Sequence, residues 1–257
     1  MSLDVGTALK YGVKRPLERD GLMLVAALWI VSIVNTAMSQ TTAGGLVEDM
    51  FGDQLPADAP FGGGMTEAAM PLALPIPGSV AWLLGILASI VTIAVMIVAY
   101  RAFVEAGGDS LPAGSTSNLL MPTVHGFIGG IVFGILVGIG LVLLIIPGIF
   151  LAVSLAFYLA IIALKDVSFI EALQQSWGIT KGERFNIFLL GVGFVVIYIV
   201  VGIIGGIASG ILGFGSPALG EIAGLLFSGY ASALVIGAVS HAYLQIDEDA
   251  GSPPSAD

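Results

Sequence analysis

The side chains that could carry out chemistry in this chain are few. There are two histidines, His125 and His241, and no cysteine, which excludes disulfides, thiolate metal sites and thiol catalysis. The sequence also contains no HExxH, GxSxG or glycine-rich phosphate-loop motif and no cluster of carboxylates. Its glycine-rich stretches lie inside apolar segments, where they are typical of helix packing. We therefore predict no enzymatic activity, no cofactor and no metal site.

The first candidate site consists of aromatic residues that carry a polar atom and lie near the centres of apolar segments. They are Trp29, Tyr158, Tyr198 and Tyr230. A hydroxyl group at that depth in a bilayer needs a hydrogen-bond partner. The simpler interpretation is packing in a helix interface with one such bond. The functional hypothesis is an aromatic cleft that admits a lipid or a small amphiphile.

The second candidate site collects polar and aromatic residues expected at one membrane surface. They are Arg101, His125, Glu171, Trp177, Lys181, Arg184 and His241. The simpler interpretation is that they snorkel and cap helices, and so fix the boundary of the membrane domain. The functional hypothesis is a docking patch for a cytoplasmic protein partner or an anionic lipid headgroup.

The composition indicates the environment in which these residues work. Of 257 residues, 57% are hydrophobic and 10% are charged, against about 25% charged residues in typical soluble domains. This excludes a water-soluble globular enzyme and a disordered protein and indicates an integral membrane protein. The net charge of −10 also argues against nucleic acid as a partner. An acidic chain with few lysines is typical of proteins made in high salt, so we expect a halophilic archaeal source.

Apolar runs predict an all-α polytopic membrane protein with six transmembrane helices and extra interfacial amphipathic helices. A bilayer core about 30 Å thick needs roughly 20 apolar residues per helix. Residues 126–164 carry no charge and are too long for one span, so they are divided at Pro147 and Gly148. The predicted spans are about 21–39, 79–100, 126–146, 149–164, 186–212 and 217–243.

Loops and ends complete this predicted organisation. Residues 1–20 form a cytoplasmic amphipathic segment, 21–243 the membrane domain, 40–78 an acidic outer loop and 244–257 an acidic cytoplasmic tail. Leu46, Val47, Met50 and Phe51 are expected to form a short amphipathic turn on the membrane surface. An inner interfacial helix is predicted over 168–178, because Ser168 and Glu171 have the spacing of a capping box.

The positive charges predict the orientation. Lysine and arginine accumulate in cytoplasmic loops, and in this chain they all lie before the first span, at the end of the second or between the fourth and fifth. The opposite side has none. We therefore expect a multi-pass protein of the cytoplasmic membrane with both termini in the cytoplasm.

Small residues recur at intervals of four in three of the spans, and this spacing predicts close helix packing. The third, fifth and sixth spans are expected to form a tight core through these stripes, with the first or second span more peripheral. A second stripe on the fifth span comprises Gly205, Ser209 and Gly213. The principal stripes are Gly126, Gly130, Gly134 and Gly138; Gly202, Gly206 and Gly210; and Gly220 and Gly224 followed by Ser228 and Ser232.

Two motifs in the second half resemble those of a known membrane-domain family. They are the LIIPGIFLAV segment at 144–153 and the EALQQSWGITKG segment at 171–182. This combination, with Pro147, Gly148, Ser176 and Gly182 as its characteristic residues, resembles the membrane domains attached to some glycerophosphodiester phosphodiesterases and their stand-alone YciC-like relatives. Ile179 departs from the pattern, which has leucine there. The resemblance implies a six-helix membrane domain, but no phosphodiesterase activity, because the catalytic barrel of those enzymes is a separate domain.

These observations favour a non-enzymatic scaffold, lipid-interacting or accessory membrane component. A small permease or exporter for a hydrophobic or amphiphilic solute is the first alternative, although no charged residue falls in the middle of a span. A membrane anchor for a separately encoded enzyme is the second. The expected partners are membrane lipids, and either a protein partner or self-association is compatible with the sequence.

Overall fold

The computed structural model describes residues 3–51, 69–104, 111–112 and 114–247. The described residues are helical and contain no strand, which confirms an all-α protein. Six helical segments are long and apolar enough to cross a membrane, as the sequence predicts for a polytopic protein. The predicted tail beyond residue 247 and residues 52–68 of the acidic outer loop lie outside the described residues.

From the fourth helix onward, the described helices follow one another through connections of at most four residues. A short 3₁₀ turn, Arg15–Leu17, separates the first two helices, and the fourth span is formed by α5 and α6 together. The helices are α1 (Val5–Lys14), α2 (Arg19–Phe51), α3 (Gly78–Val104), α4 (Leu120–Leu143), α5 (Ile145–Ser154), α6 (Tyr158–Lys165), α7 (Phe169–Ile179), α8 (Arg184–Gly213) and α9 (Pro217–Ile246).

The first span is part of a helix much longer than its predicted limits of 21–39. The helix α2 contains 33 residues, which at 1.5 Å per residue is about 50 Å, more than a bilayer core of about 30 Å requires. The expectation of a loop from residue 40 and a separate amphipathic turn at 46–51 is therefore wrong, because both regions continue α2 as far as Phe51. Hydropathy marks where a helix crosses the membrane and does not mark where the helix ends.

The fourth and fifth helices form a hairpin joined by one extended residue, Leu144 (φ −157°, ψ 128°). The break therefore precedes the predicted one at Pro147 and Gly148. Proline is accepted in the first turn of α5, where its missing N–H needs no partner inside the helix. Gly140 and Gly148 then let the two backbones meet, since a Cβ built on Gly148 would lie 2.5 Å from the Leu141 amide nitrogen.

The chain divides into two compact units by its internal contacts. Unit 1 comprises residues 1–25, 93–198 and 231–257, and unit 2 comprises 26–92 and 199–230. Within unit 1, α4 packs against α5, α6 and α7, and α6 packs against α7.

In unit 2, polar side chains and close backbone approaches connect the helices. The Trp29 Nε1–H donates to the Ile222 carbonyl (2.8 Å), and the Asn35 amide donates to the Thr92 hydroxyl (2.9 Å).

The N-terminal helix is docked within unit 1. Ala8 and Gly12 are buried, and a Cβ on Gly12 would lie 2.6 Å from the Leu234 carbonyl oxygen of α9. The larger apolar residues Val13 and Leu17 of this amphipathic segment are 40% and 57% exposed. The buried face of α1 is therefore its small-residue face, because only small side chains allow this close approach.

The glycine stripes predict the packing only in part. Gly126 and Gly220 are packed, with a built Cβ 2.8 Å from Ile93 and 2.6 Å from the Ser209 carbonyl respectively, whereas Gly130 and Gly224 make ordinary contacts with Tyr158 and Ser209. The other glycines of these stripes have no atom of the described residues within 4 Å of a built Cβ, apart from their own helix backbone, so their role in packing stays a prediction. These are Gly134, Gly138, Gly202, Gly206 and Gly210.

On the fifth span it is the second stripe that packs. A Cβ on Gly205 would lie 3.0 Å from Phe227, and Ser209 and Gly213 contact Gly220 of α9. A spacing of four identifies a helical face, but two adjacent faces of α8 carry that spacing. The sequence does not show which of the two meets a neighbour.

Candidate functional site

Arg101, the first member of the predicted docking patch, holds the ends of three segments of unit 1 together. Its Nε–H donates to the Ala163 carbonyl (2.7 Å), and its Nη1–H donates to the Ser117 carbonyl (2.6 Å). Its Nη2 forms an ion pair with the Asp166 carboxylate (2.6 Å). Asp166 is the C-cap residue of α6 and has a left-handed backbone conformation (φ 52°). The ion pair therefore lies at the end of that helix. All the described contacts of Arg101 are structural.

Trp177 and Arg184 form a second cluster with Phe150. The guanidinium carbon of Arg184 lies 4.6 Å from the centroid of the Phe150 ring and 4.9 Å from that of Trp177. The two rings meet edge to face at 5.5 Å. Two guanidinium nitrogens, Nε and Nη2, are buried without a hydrogen-bond partner among the described residues. Lys181 is exposed in the turn just before α8.

The remaining members of the patch lie in other surroundings. His241 stacks on Tyr11 with ring centroids 4.6 Å apart, and His125 lies 6.3 Å from Phe169, with its Nδ1 buried and unpartnered among the described residues. The Glu171 carboxylate accepts a bond from Gln175 (3.2 Å). In the part of the chain that the structure describes, no ion pair, hydrogen bond or ring contact joins these groups to Arg101 or Arg184. The structure brings only Trp177 and Arg184 of the seven into contact.

The Ser168 half of the predicted capping box is present. Ser168 caps α7, since its hydroxyl accepts from the Glu171 amide (3.3 Å). Among the described residues Glu171 makes no reciprocal bond to the Ser168 amide.

Sequence reasoning missed a buried ion pair between Arg15 and Asp20. Arg15 is 1% exposed and Asp20 is 0% exposed, and the guanidinium binds both carboxylate oxygens at 2.7 and 2.6 Å. It also donates to the Ala102 carbonyl (2.7 Å) and lies over the Phe103 ring. Burial lowers the pKa of Arg15, but the Asp20 carboxylate outweighs that effect and raises the pKa above its usual value. Two opposite charges five residues apart across a proline are the only signal of this pair in the sequence.

A cluster of hydroxyl groups makes hydrogen bonds to the backbone at the break in the fourth span. The break covers Leu155 to Phe157, between α5 and α6. The Ser176 hydroxyl accepts from the Phe157 amide (3.2 Å), and both Ser176 and Thr180 donate to the Ser154 carbonyl (3.2 Å each). All three hydroxyl residues are 0% exposed. The SWGITKG motif thus satisfies backbone groups that the broken helix leaves open.

Gly182 completes the same motif in the turn that follows α7. Its φ is +93°, a conformation that favours glycine. The residues singled out in the motif are therefore structural here, and Trp177 connects the motif to Arg184.

The aromatic residues predicted to form a cleft fall in different parts of the chain. Tyr158 belongs to unit 1 and stacks on Phe133 at 5.1 Å. Tyr198 also belongs to unit 1 and is 44% exposed. Trp29 and Tyr230 belong to unit 2, where Trp29 is bound to Ile222. The cleft stays a prediction, and Trp29 makes the single hydrogen bond that the simpler interpretation requires.

Comparison with known proteins assigns nearly the whole chain to one family. A family model described as a domain of unknown function, DUF7847, matches residues 3–246. The chain belongs to the DUF7847 family. No curated protein and no solved structure matches the chain. The DUF7847 match extends from α1 to the end of α9, so the Arg15 pair, the Ser176 cluster and the Arg184 cluster all lie within the family domain. Among the described residues, no group of three or more His, Asp or Glu side chains could hold a metal ion.

Proposed function

We propose that this DUF7847 protein is a non-enzymatic, lipid-interacting component of the cytoplasmic membrane, with its lysine- and arginine-bearing segments at the cytoplasmic surface. The observation that carries the proposal is the distribution of charge between the units. All eight lysines and arginines belong to unit 1, and the 26–92 and 199–230 segments of unit 2 contain none. Basic residues accumulate on the cytoplasmic side of membrane proteins and are attracted by the anionic lipids of that leaflet.

The roles of these basic residues support a contact surface in unit 1. Arg15 and Arg101 fix helices to one another, and Lys165 pairs with Asp247 at 2.7 Å. Lys10, Lys14 and Lys181 are exposed and belong to unit 1 as well. The structural arginines thus keep α1 and the α6 end in place, while the exposed lysines are available to headgroups or to a cytoplasmic partner.

The resemblance to the membrane domains of glycerophosphodiester phosphodiesterases and the YciC-like proteins fits this proposal. Its motif residues hold α7 against the broken fourth span, which is an architectural role. It therefore supports a shared membrane framework and lends no support to phosphodiesterase chemistry.

Analysis of the lipids that copurify with the chain tests the proposal. The protein is extracted from native membranes in a mild detergent, and its bound lipids are compared with the bulk membrane lipids by mass spectrometry. We expect anionic phospholipids to be enriched in the bound fraction. A bound fraction with the bulk composition would contradict the proposal.

One observation favours a second candidate, a small permease for a hydrophobic or amphiphilic solute. The fourth span is broken at Leu155–Phe157, and broken helices line the substrate sites of many transporters. Uptake of an amphiphilic dye into vesicles that contain the protein, above uptake by empty vesicles, would support the permease. Equal uptake by the two would exclude it for that solute.

A further inference from the structure

The arginine at the start of α8 differs from the two arginines that carry a buried or partly buried ion pair. Arg15 binds Asp20, and Arg101 binds Asp166. Arg184 has no carboxylate within ion-pair distance among the described residues, although its Nε and Nη2 are buried without a partner. The adjacent Glu183 is engaged elsewhere, because its carboxylate accepts from the Leu3 amide (3.2 Å) and the Asn186 side chain (2.7 Å).

The two aromatic rings stabilise the cation of Arg184 without neutralising it. The contacts of the guanidinium with Phe150 and Trp177 at 4.6 and 4.9 Å are attractive, because the face of an aromatic ring carries negative charge density. The enclosed N–H groups of Nε and Nη2 oppose this gain, because a buried donor without a partner has lost its hydrogen bonds to water. The third nitrogen, Nη1, is not enclosed in this way, so an anion can approach the guanidinium there.

The surroundings of Arg184 indicate the chemistry of an anion that it could bind. Lys181 supplies a second positive charge from the preceding turn, and the planar guanidinium matches the oxygens of a phosphate group. Large apolar side chains are exposed next to these charges: Phe150 is 41% exposed, Phe185 72% and Phe188 40%. A ligand that satisfies both features carries a phosphate and an apolar chain.

We propose that Arg184 and Lys181 bind the phosphate of an anionic phospholipid, with Phe150 and Trp177 as the walls of the site. This inference rests on the proposed lipid-interacting function and assigns it to one headgroup site. The shared chemistry is phosphate, which a lipid headgroup or free inorganic phosphate can supply, and the apolar rim favours the lipid.

Native mass spectrometry of the detergent-solubilised full chain tests the site with three probes. These are dioleoyl phosphatidylglycerol, dioleoylglycerol with the same acyl chains and no phosphate, and inorganic phosphate. We expect one saturable phosphatidylglycerol per chain and at least tenfold weaker binding of the other two probes. Dioleoylglycerol binding as tightly as phosphatidylglycerol would overturn the role of phosphate, and inorganic phosphate binding as tightly would overturn the lipid source.

Three variants connect the binding to these residues. Arg184→Gln is expected to weaken phosphatidylglycerol binding about tenfold or more, because charge-assisted hydrogen bonds to the headgroup are lost. Lys181→Gln, on the exposed turn, is expected to weaken it several-fold without affecting folding. Lys10→Gln, an exposed lysine of α1, is the matched control and should bind as the wild type does. Wild-type affinity in both Arg184→Gln and Lys181→Gln would overturn the proposal.

The two experiments distinguish an error in the proposed headgroup site from an error in the proposed lipid-interacting function. If copurified lipids are enriched in anionic species but Arg184→Gln and Lys181→Gln change neither the enrichment nor the affinity, only the site is wrong. If the wild type shows no enrichment, the proposed function itself is wrong.

Discussion

The ion pair between Arg15 and Asp20 is the clearest case of a residue whose role depends on tertiary packing. In the sequence Arg15 is one of four basic residues before the first span. In the structure it is one of the largest fully buried side chains of the described residues, held by Asp20, by the Ala102 carbonyl and by the Phe103 ring. No local pattern predicts which of four neighbouring cations becomes buried, because two of the partners of Arg15, Ala102 and Phe103, come from the end of α3.

At the residue scale we predict that removing one member of this pair is strongly destabilising. Asp20→Asn removes the buried counter-charge of the Arg15 guanidinium and leaves only the half-exposed Glu18 carboxylate at 2.8 Å, so it should lower the free energy of unfolding by about 3 kcal/mol. The double variant Arg15→Leu/Asp20→Leu should lose less than the sum of its single variants, since it leaves no charge buried. Unfolding in mixed detergent and dodecyl sulfate measures both changes.

Lys14→Gln is the control for this prediction, since Lys14 is the exposed neighbour of Arg15. It should change stability by no more than about 0.5 kcal/mol. Equal stability of Asp20→Asn and Lys14→Gln would show that the pair does not support the fold.

At the scale of elements, the sequence predicts the number of spans and fails on helix ends and packing faces. The six apolar runs are found as helices because apolar length is a property of each segment. The end of α2 at Phe51, the break at Leu155 and the choice between two faces of α8 depend on neighbouring elements. The N-cap at Ser168 is predicted correctly, because a cap is set by residues within one turn.

Unit 2 contains a glycine that is closely packed, Gly220, and a glycine with open space around it, Gly206, so one variant can serve as the control for the other. Gly220→Ala places a methyl group 2.6 Å from the Ser209 carbonyl and 2.7 Å from Gly213, so we expect a loss of about 1–3 kcal/mol from overpacking. Gly206→Ala meets no described atom within 4 Å and should be neutral or slightly stabilising. Thermal unfolding in detergent compares the two. The account of helix packing is wrong if Gly206→Ala is the more destabilised variant.

The polar cluster at the break in the fourth span gives a second prediction for an element. Ser176→Ala removes the acceptor of the buried Phe157 amide and should cost about 1–3 kcal/mol. Thr180→Val should cost less, about 1 kcal/mol, because Ser176 still donates to the Ser154 carbonyl. Gln174→Ala, an exposed position of the same helix, is the control for thermal unfolding. Stability of Ser176→Ala equal to that of this control would contradict the capping role.

At the scale of the whole molecule, the charge distribution and the division into units agree although they come from different observations. The units are defined by contacts between residues, and the positive charges are defined by the sequence alone. All eight lysines and arginines therefore fall in one contact-defined unit, and the proposed headgroup site at Arg184 and Lys181 belongs to it as well.

The orientation of the molecule is tested most directly by labelling single cysteines, since the chain has none of its own. Gly178→Cys at the end of α7 and Gly215→Cys between α8 and α9 form a matched pair, because both glycines are exposed and have open space around a built Cβ. A membrane-impermeant maleimide is added to intact cells. We predict that Gly215→Cys reacts at once and that Gly178→Cys reacts only after the cells are lysed. Reaction of both positions from the same aqueous phase would contradict the six-span account.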